Sequence, residues 1–193
     1  SQIYRALAPQ LSRTPFVLEK DVWVCWVLRT LFTMPDRLQM AFKGGTSLSK
    51  VFGAIMRFSE DVDITLDYRS LDAAFDPFAA GVSRNRLKKF SEDLKSFVRD
   101  HTHDVVEPYF QRMLRESFDY EGFQLEVSED GEQIRLHYPS VLEIPGDYLG
   151  NRVLIEFGGR NITEPNAEHE VRPDIAQHVP ELDLPRSTVS VLS

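Results

Sequence analysis

The most restrictive stretch of the chain is Asp61 to Asp67, where polar and apolar residues alternate without a break. Val62, Ile64 and Leu66 fall on one side; Asp61, Asp63, Thr65 and Asp67 fall on the other. Successive side chains of a strand point to opposite faces, so the pattern predicts a half-buried β-strand. It also places the carboxylates of Asp61 and Asp63 on one face, their Cα atoms roughly 6.5–7 Å apart. Other segments supply partners for such a strand. Leu38 to Phe42 and Arg152 to Gly158 have strand character, as does a final segment, Ser187 to Leu192. Two alternating runs, at Phe123–Val127 and Ile134–Tyr138, flank the turn signal Glu129-Asp130-Gly131 and predict a β-hairpin.

Helical signals lie between these runs. Thr14-Pro15 is a cap followed by a first-turn proline, and Val22, Trp23, Trp26, Val27 and Leu31 recur at helical spacing up to about Phe32. After the turn Lys43-Gly44-Gly45-Thr46-Ser47, apolar residues at Leu48, Val51, Phe52 and Ile55 predict a helix starting at Thr46 or Ser47. Residues 84–118 read as mostly helical, with an interruption expected at Pro108, and Asn161 to Pro185 reads as loop.

With 193 residues, 42% apolar and 27% charged, the chain has the composition of one globular domain. Its longest clean apolar run, Val22 to Leu28, is far short of the roughly 18 residues of a membrane span, and no secretory signal is visible. The single cysteine, Cys25, lies in an apolar helical stretch; it reads as a core residue, and the lack of a second cysteine points to a reducing, cytoplasmic setting. A net charge of −8 argues against a general nucleic-acid coat. The basic group Arg84, Arg86, Lys88 and Lys89 reads as a solvated helix face or a contact for RNA phosphates, and His101 and His103 read as solvated helix-end residues.

Three features carry chemistry. Gly44-Gly45 stands between a strand and a helix, where backbone amides can meet a phosphate and glycine permits close approach. Asp61 and Asp63 would repel one another unless a cation sits between them, although an exposed edge strand would also tolerate two aspartates. Glu156 is a charge inside an apolar strand and calls for a partner or for solvent. A third carboxylate beside the first two would complete a two-metal site for phosphoryl-type transfer.

Phe42-Lys43-Gly44-Gly45-Thr46-Ser47-Leu48, followed by Arg57-Phe58-Ser59-Glu60-Asp61-Val62-Asp63-Ile64, resembles the first motif of the AbiEii/AbiGii toxin family of nucleotidyltransferases, within the DNA-polymerase-beta-like superfamily. Val17 to Asp21 with Trp23 resembles that family's opening helix, and Leu154 to Arg160 with Glu164-Pro165 its later strand and loop. The resemblance implies an α+β fold, a small mixed sheet flanked by helices. It implies that residues 1–193 form a single nucleotidyltransferase-like domain. The family's further helix, with a lysine after the last strand, has no counterpart here because no lysine follows Lys95. That departure points to the N-terminal part of a longer protein.

The implied activity is transfer of a nucleoside monophosphate from a nucleoside triphosphate to an acceptor hydroxyl, with Mg²⁺ or Mn²⁺. Asp61, Asp63 and Glu156 match the metal-binding and catalytic acids. Gly44, Gly45 and Thr46 match the triphosphate turn. Read from the residues themselves, Lys43 and Arg57 flank the turn and the acids and could bind triphosphate oxygens or balance the carboxylates, Ser59 could hydrogen-bond phosphate or cap its loop, and Arg160 could face the nucleotide. The implied setting is the toxin of a toxin–antitoxin or phage-defence pair, with a cognate antitoxin as partner and tRNA or another RNA as acceptor. Read from the residues alone, a two-metal nuclease and a catalytically silent nucleotide-binding module stay open.

Overall fold

The computed structural model describes residues 1–51, 61–118, 121–142, 151–161 and 165–192. Arg57 and Ser59 lie outside the described residues, as does the later part of the helix expected after Ser47. The side chains of 48, 49 and 159–161 are likewise outside them.

A short helix, α1 (Gln2–Leu7), precedes α2 (Pro15–Thr33). The Thr14 hydroxyl accepts from the Val17 amide at 3.3 Å and Pro15 takes the first turn, as the local sequence demands. Seven strands follow in one mixed sheet: β1 (Met40–Lys43), β2 (Asp61–Asp67), β3 (Gln124–Val127), β4 (Gln133–His137), β5 (Arg152–Asn161), β6 (Asn166–Val171) and β7 (Ser187–Leu192). Their spatial order is β3-β4-β5-β2-β1-β7-β6. The acid-bearing strand β2 is therefore central, antiparallel to β1 and parallel to β5. An acidic edge is not what it provides.

Register explains the two faces. Phe42 stands opposite Ile64 and Ile64 opposite Phe157, while Val62 stands opposite Ile155 and Ile155 opposite Ile134. All are buried in one core with Val24, Leu28 and Leu31 of α2. Two more helices, α4 (Arg84–His101) and α5 (Glu107–Ser117), contribute Val98, Phe110 and Leu114 to it. Trp23 stacks on Tyr138 at 5.1 Å and meets Phe118 and Phe123 at 5.3 Å, which ties α2 to the end of α5 and to the hairpin. The hairpin turn uses Gly131 at φ +68°, and a side chain there would strike the backbone of Arg99, so glycine also lets α4 approach closely.

Four expectations are corrected. Helix α3 (Gly44–Lys50) begins at the first glycine, not at Thr46 or Ser47. Pro108 does not break the chain's second helical region: α4 runs through a π-helical stretch, Thr102–Val106, directly into α5, and the wider turn carries the proline without a loop. The segment read as loop contains β6 and a 3₁₀ turn, Asp174–Gln177. His101 is only 8% exposed, a core-edge residue with Nε2 unpartnered among the described residues, while His103 pairs with Glu107 at 3.3 Å. Cys25 is buried and free, as expected. No described helix is long and apolar enough to cross a membrane.

Candidate active site

The face of the sheet opposite the core carries a row of polar residues across four strands. Lys43 of β1 stands opposite Asp63 of β2, Asp63 opposite Glu156 of β5, and Glu156 opposite Gln133 of β4. All four are half-buried. Asp61 lies on the same face, opposite Leu154. The sheet thus brings together Lys43, Asp61, Asp63 and Glu156, which are separated by up to 113 positions in the chain.

Helix α3 closes this row at one end. Gly44 adopts φ +80°, a conformation that side chains resist, and a Cβ there would fall on the Asp63 carboxylate. The missing side chain is what allows the glycine turn and the acid to sit against each other. The buried Thr46 donates its hydroxyl to the backbone carbonyl of Asp61 at 2.5 Å, so the first turn of α3 is tied to the start of β2. The Ser47 hydroxyl donates to the Gly44 carbonyl at 2.8 Å, and Gly45 is half-buried between them. Lys43 reaches along the sheet until its ammonium lies 3.4 Å from where a Gly158 side chain would begin. Arg160 is on β5, with its side chain outside the described residues.

Electrostatics follow from the crowding. Burial and the charge of Glu156 push the Asp63 carboxyl above its ordinary range; Lys43 opposes this and Asp61 adds to it. Glu156 is held by Gln133, whose amide donates to Oε1 at 2.9 Å, and Arg135 in turn donates to Gln133 at 2.5 Å. Gln133 is not signalled in the sequence, since it reaches Glu156 only through cross-strand register. Among the described residues no three Asp, Glu, His or Cys side chains close into a metal cage. The donor set still suits a hard divalent cation: every donor is a carboxylate oxygen, and the repulsion at Asp63 is what such a cation relieves. An open set of this kind leaves coordination positions for phosphate oxygens.

The family model for the nucleotidyl transferase AbiEii toxin of type IV toxin–antitoxin systems matches residues 26–193. Among solved structures, the nucleotidyltransferase toxin MenT4 from Mycobacterium tuberculosis aligns with a TM-score of 0.50 at 19% identity, covering 98% of this chain and 54% of that one. That likeness shows a shared fold, and the chain spans about half the length of that toxin. No curated protein matches the sequence. The match over most of its length, on a sheet that sets paired acids against a glycine turn, shows that the chain belongs to the AbiEii nucleotidyltransferase toxin family.

Proposed function

We propose that the chain transfers a nucleoside monophosphate from a nucleoside triphosphate to an acceptor hydroxyl. The observation that carries this reading is the contact between Gly44 and Asp63, which sets a glycine turn against a row of carboxylates on the central strands. A nuclease would have no task for that turn. In the proposed reaction Gly44, Gly45 and Thr46 line the triphosphate, and Lys43 balances its charge. Arg57, Ser59 and Arg160 are further phosphate contacts in this reading, on the strength of their positions in the sequence beside the glycine turn and the acids. Asp61, Asp63 and Glu156 would hold Mg²⁺ or Mn²⁺. That metal, when bound, neutralises triphosphate charge and favours the ionised acceptor oxygen. Glu156, which accepts from the Gln133 amide, would take the acceptor's proton in this reading.

The acceptor oxygen attacks the α-phosphorus in line; the α-to-β bridging bond breaks and pyrophosphate leaves. Catalysis on this plan is positioning and charge stabilisation more than covalent chemistry. The acceptor we favour is RNA, tRNA included, and the biological setting is the toxin of a toxin–antitoxin or phage-defence pair, with a cognate antitoxin as functional partner. The test is to incubate the protein with each α-labelled nucleoside triphosphate, Mg²⁺ and total cellular RNA. Label transferred to RNA is expected. RNA cleaved without added nucleotide would establish the nuclease instead, and triphosphate binding without any labelled product would establish a silent binding module.

A further inference from the structure

The opening-helix motif contains three successive charges, Glu19-Lys20-Asp21, and all three are at most 2% exposed. Burying a charge is unfavourable unless it is paired, so each needs a structural reason. Glu19 accepts from the Ser140 hydroxyl at 2.6 Å and the Val141 amide at 2.7 Å. Asp21 has a different task. Its Oδ1 is bonded by the Lys50 ammonium, and its Oδ2 accepts from the Asp174 amide at 2.7 Å. Lys50 also donates to the Asp174 carboxylate at 3.0 Å. Burial works against the lysine's charge, but Asp21, Cys25 and Asp174 hold the ammonium above its ordinary value. It stays a cation, so it is no general base.

Lys50 is the last residue of α3. The helix has seven residues, too few to be stable by itself. Thr46 ties its first turn to Asp61 of β2, and Lys50 ties its last residue to α2 and to the 3₁₀ turn. These two tethers fix how the helix sits along its axis, and so where Gly44 stands against Asp63. Lys50 and Asp21 are buried and Asp174 closes the group with its side chain 40% exposed; a buried ion pair adds little net stability compared with apolar residues of similar volume, and its best-attested use is to specify position.

We propose that Lys50, Asp21 and Asp174 form a positioning device that seats the glycine turn for the triphosphate. This rests on the proposed function. Lys50 touches no reacting atom; it acts through α3. The decisive variant is Lys50→Met with Asp21→Asn and Asp174→Asn, which removes all three charges together. Thermal unfolding, titration with each nucleoside triphosphate plus Mg²⁺, and steady-state kinetics are compared with the parent protein. The variant is expected to melt within a few degrees of the parent while its triphosphate Kd and KM rise about tenfold or more and kcat changes less. Parent-like Kd and KM in a folded variant would overturn the positioning role and leave the proposed function standing. A parent protein that binds no triphosphate would overturn both. Should the triple variant not fold, Lys50→Arg decides. Its longer head keeps both carboxylates paired but reseats α3, so affinity should fall without loss of melting temperature; unchanged affinity would overturn the role.

Discussion

A lysine and carboxylates stand at both ends of α3, and the two groups behave in opposite ways. At the back, Lys50 bonds Asp21 and Asp174 directly, and Lys50 and Asp21 are almost fully buried. At the front, Lys43 faces three carboxylates, Asp61, Asp63 and Glu156, all half-buried. The back group is satisfied by its own partners and has no chemistry left to perform. At the front, burial and the charge of Glu156 raise the Asp63 carboxyl while Lys43 opposes; at the back, burial raises the Asp21 carboxyl and the Lys50 ammonium bonded to it opposes. The same residue types serve structure where they are buried against one another and, in the proposed function, chemistry where they are half-buried beside the glycine turn.

That contrast can be broken at the front first. Asp61→Ala or Asp63→Ala should reduce nucleotide transfer by roughly 10²–10³-fold or more while thermal unfolding changes little, because both carboxylates are half-buried rather than enclosed in the core. Collapse of the fold in either variant would erase the distinction. Gly44→Ala should come next. It places a methyl group on the Asp63 carboxylate and holds a left-handed backbone that alanine resists by about 1–2 kcal/mol. Activity should drop by roughly 10–100-fold, with a melting temperature lower by about 2–8 °C in calorimetry.

A smaller effect is expected one shell out. Gln133→Leu removes the amide that holds Glu156 and should slow transfer about tenfold, read as a change in kcat at saturating triphosphate. The least effect concerns a third kind of buried base. His101 is buried, and burial lowers its pKa below the ordinary value of 6.5. The unfolded chain then takes up the proton first as pH falls. Stability from this residue is complete above about pH 7, declines as pH falls through 6.5, and levels off below the folded-state pKa. Urea midpoints between pH 5 and 8 should show that slope in the parent and a flatter one in His101→Leu.

Legibility divides along the same line between local pattern and tertiary partnership. Strand β2, helix α2, the hairpin and β7 were readable because period and capping are local. Strand β6 was not: Asn166-Ala167-Glu168-His169-Glu170 is polar, and only its pairing with β7 makes it a strand. The start of α3 was placed too late because two glycines are poor helix formers and the apolar spacing begins only at Leu48; the Thr46 hydroxyl reaches the Asp61 carbonyl. Asp61, Asp63 and Glu156 were readable as acids in strands, but not as neighbours of Gln133, which depends on register. Lys50 had no signal of its own, since a lysine at a helix end is ordinary. The available signal was on α2, where Glu19, Lys20 and Asp21 are set among apolar residues.

The most direct test of the central claim is calorimetric titration of the four nucleoside triphosphates into the parent protein and into Asp63→Asn, each with and without Mg²⁺. Binding of at least one triphosphate to the parent that requires Mg²⁺ and disappears in Asp63→Asn is the predicted result. Equal binding to both proteins, or binding indifferent to Mg²⁺, would contradict the assignment of the front of α3 and the acidic row as the nucleotide site.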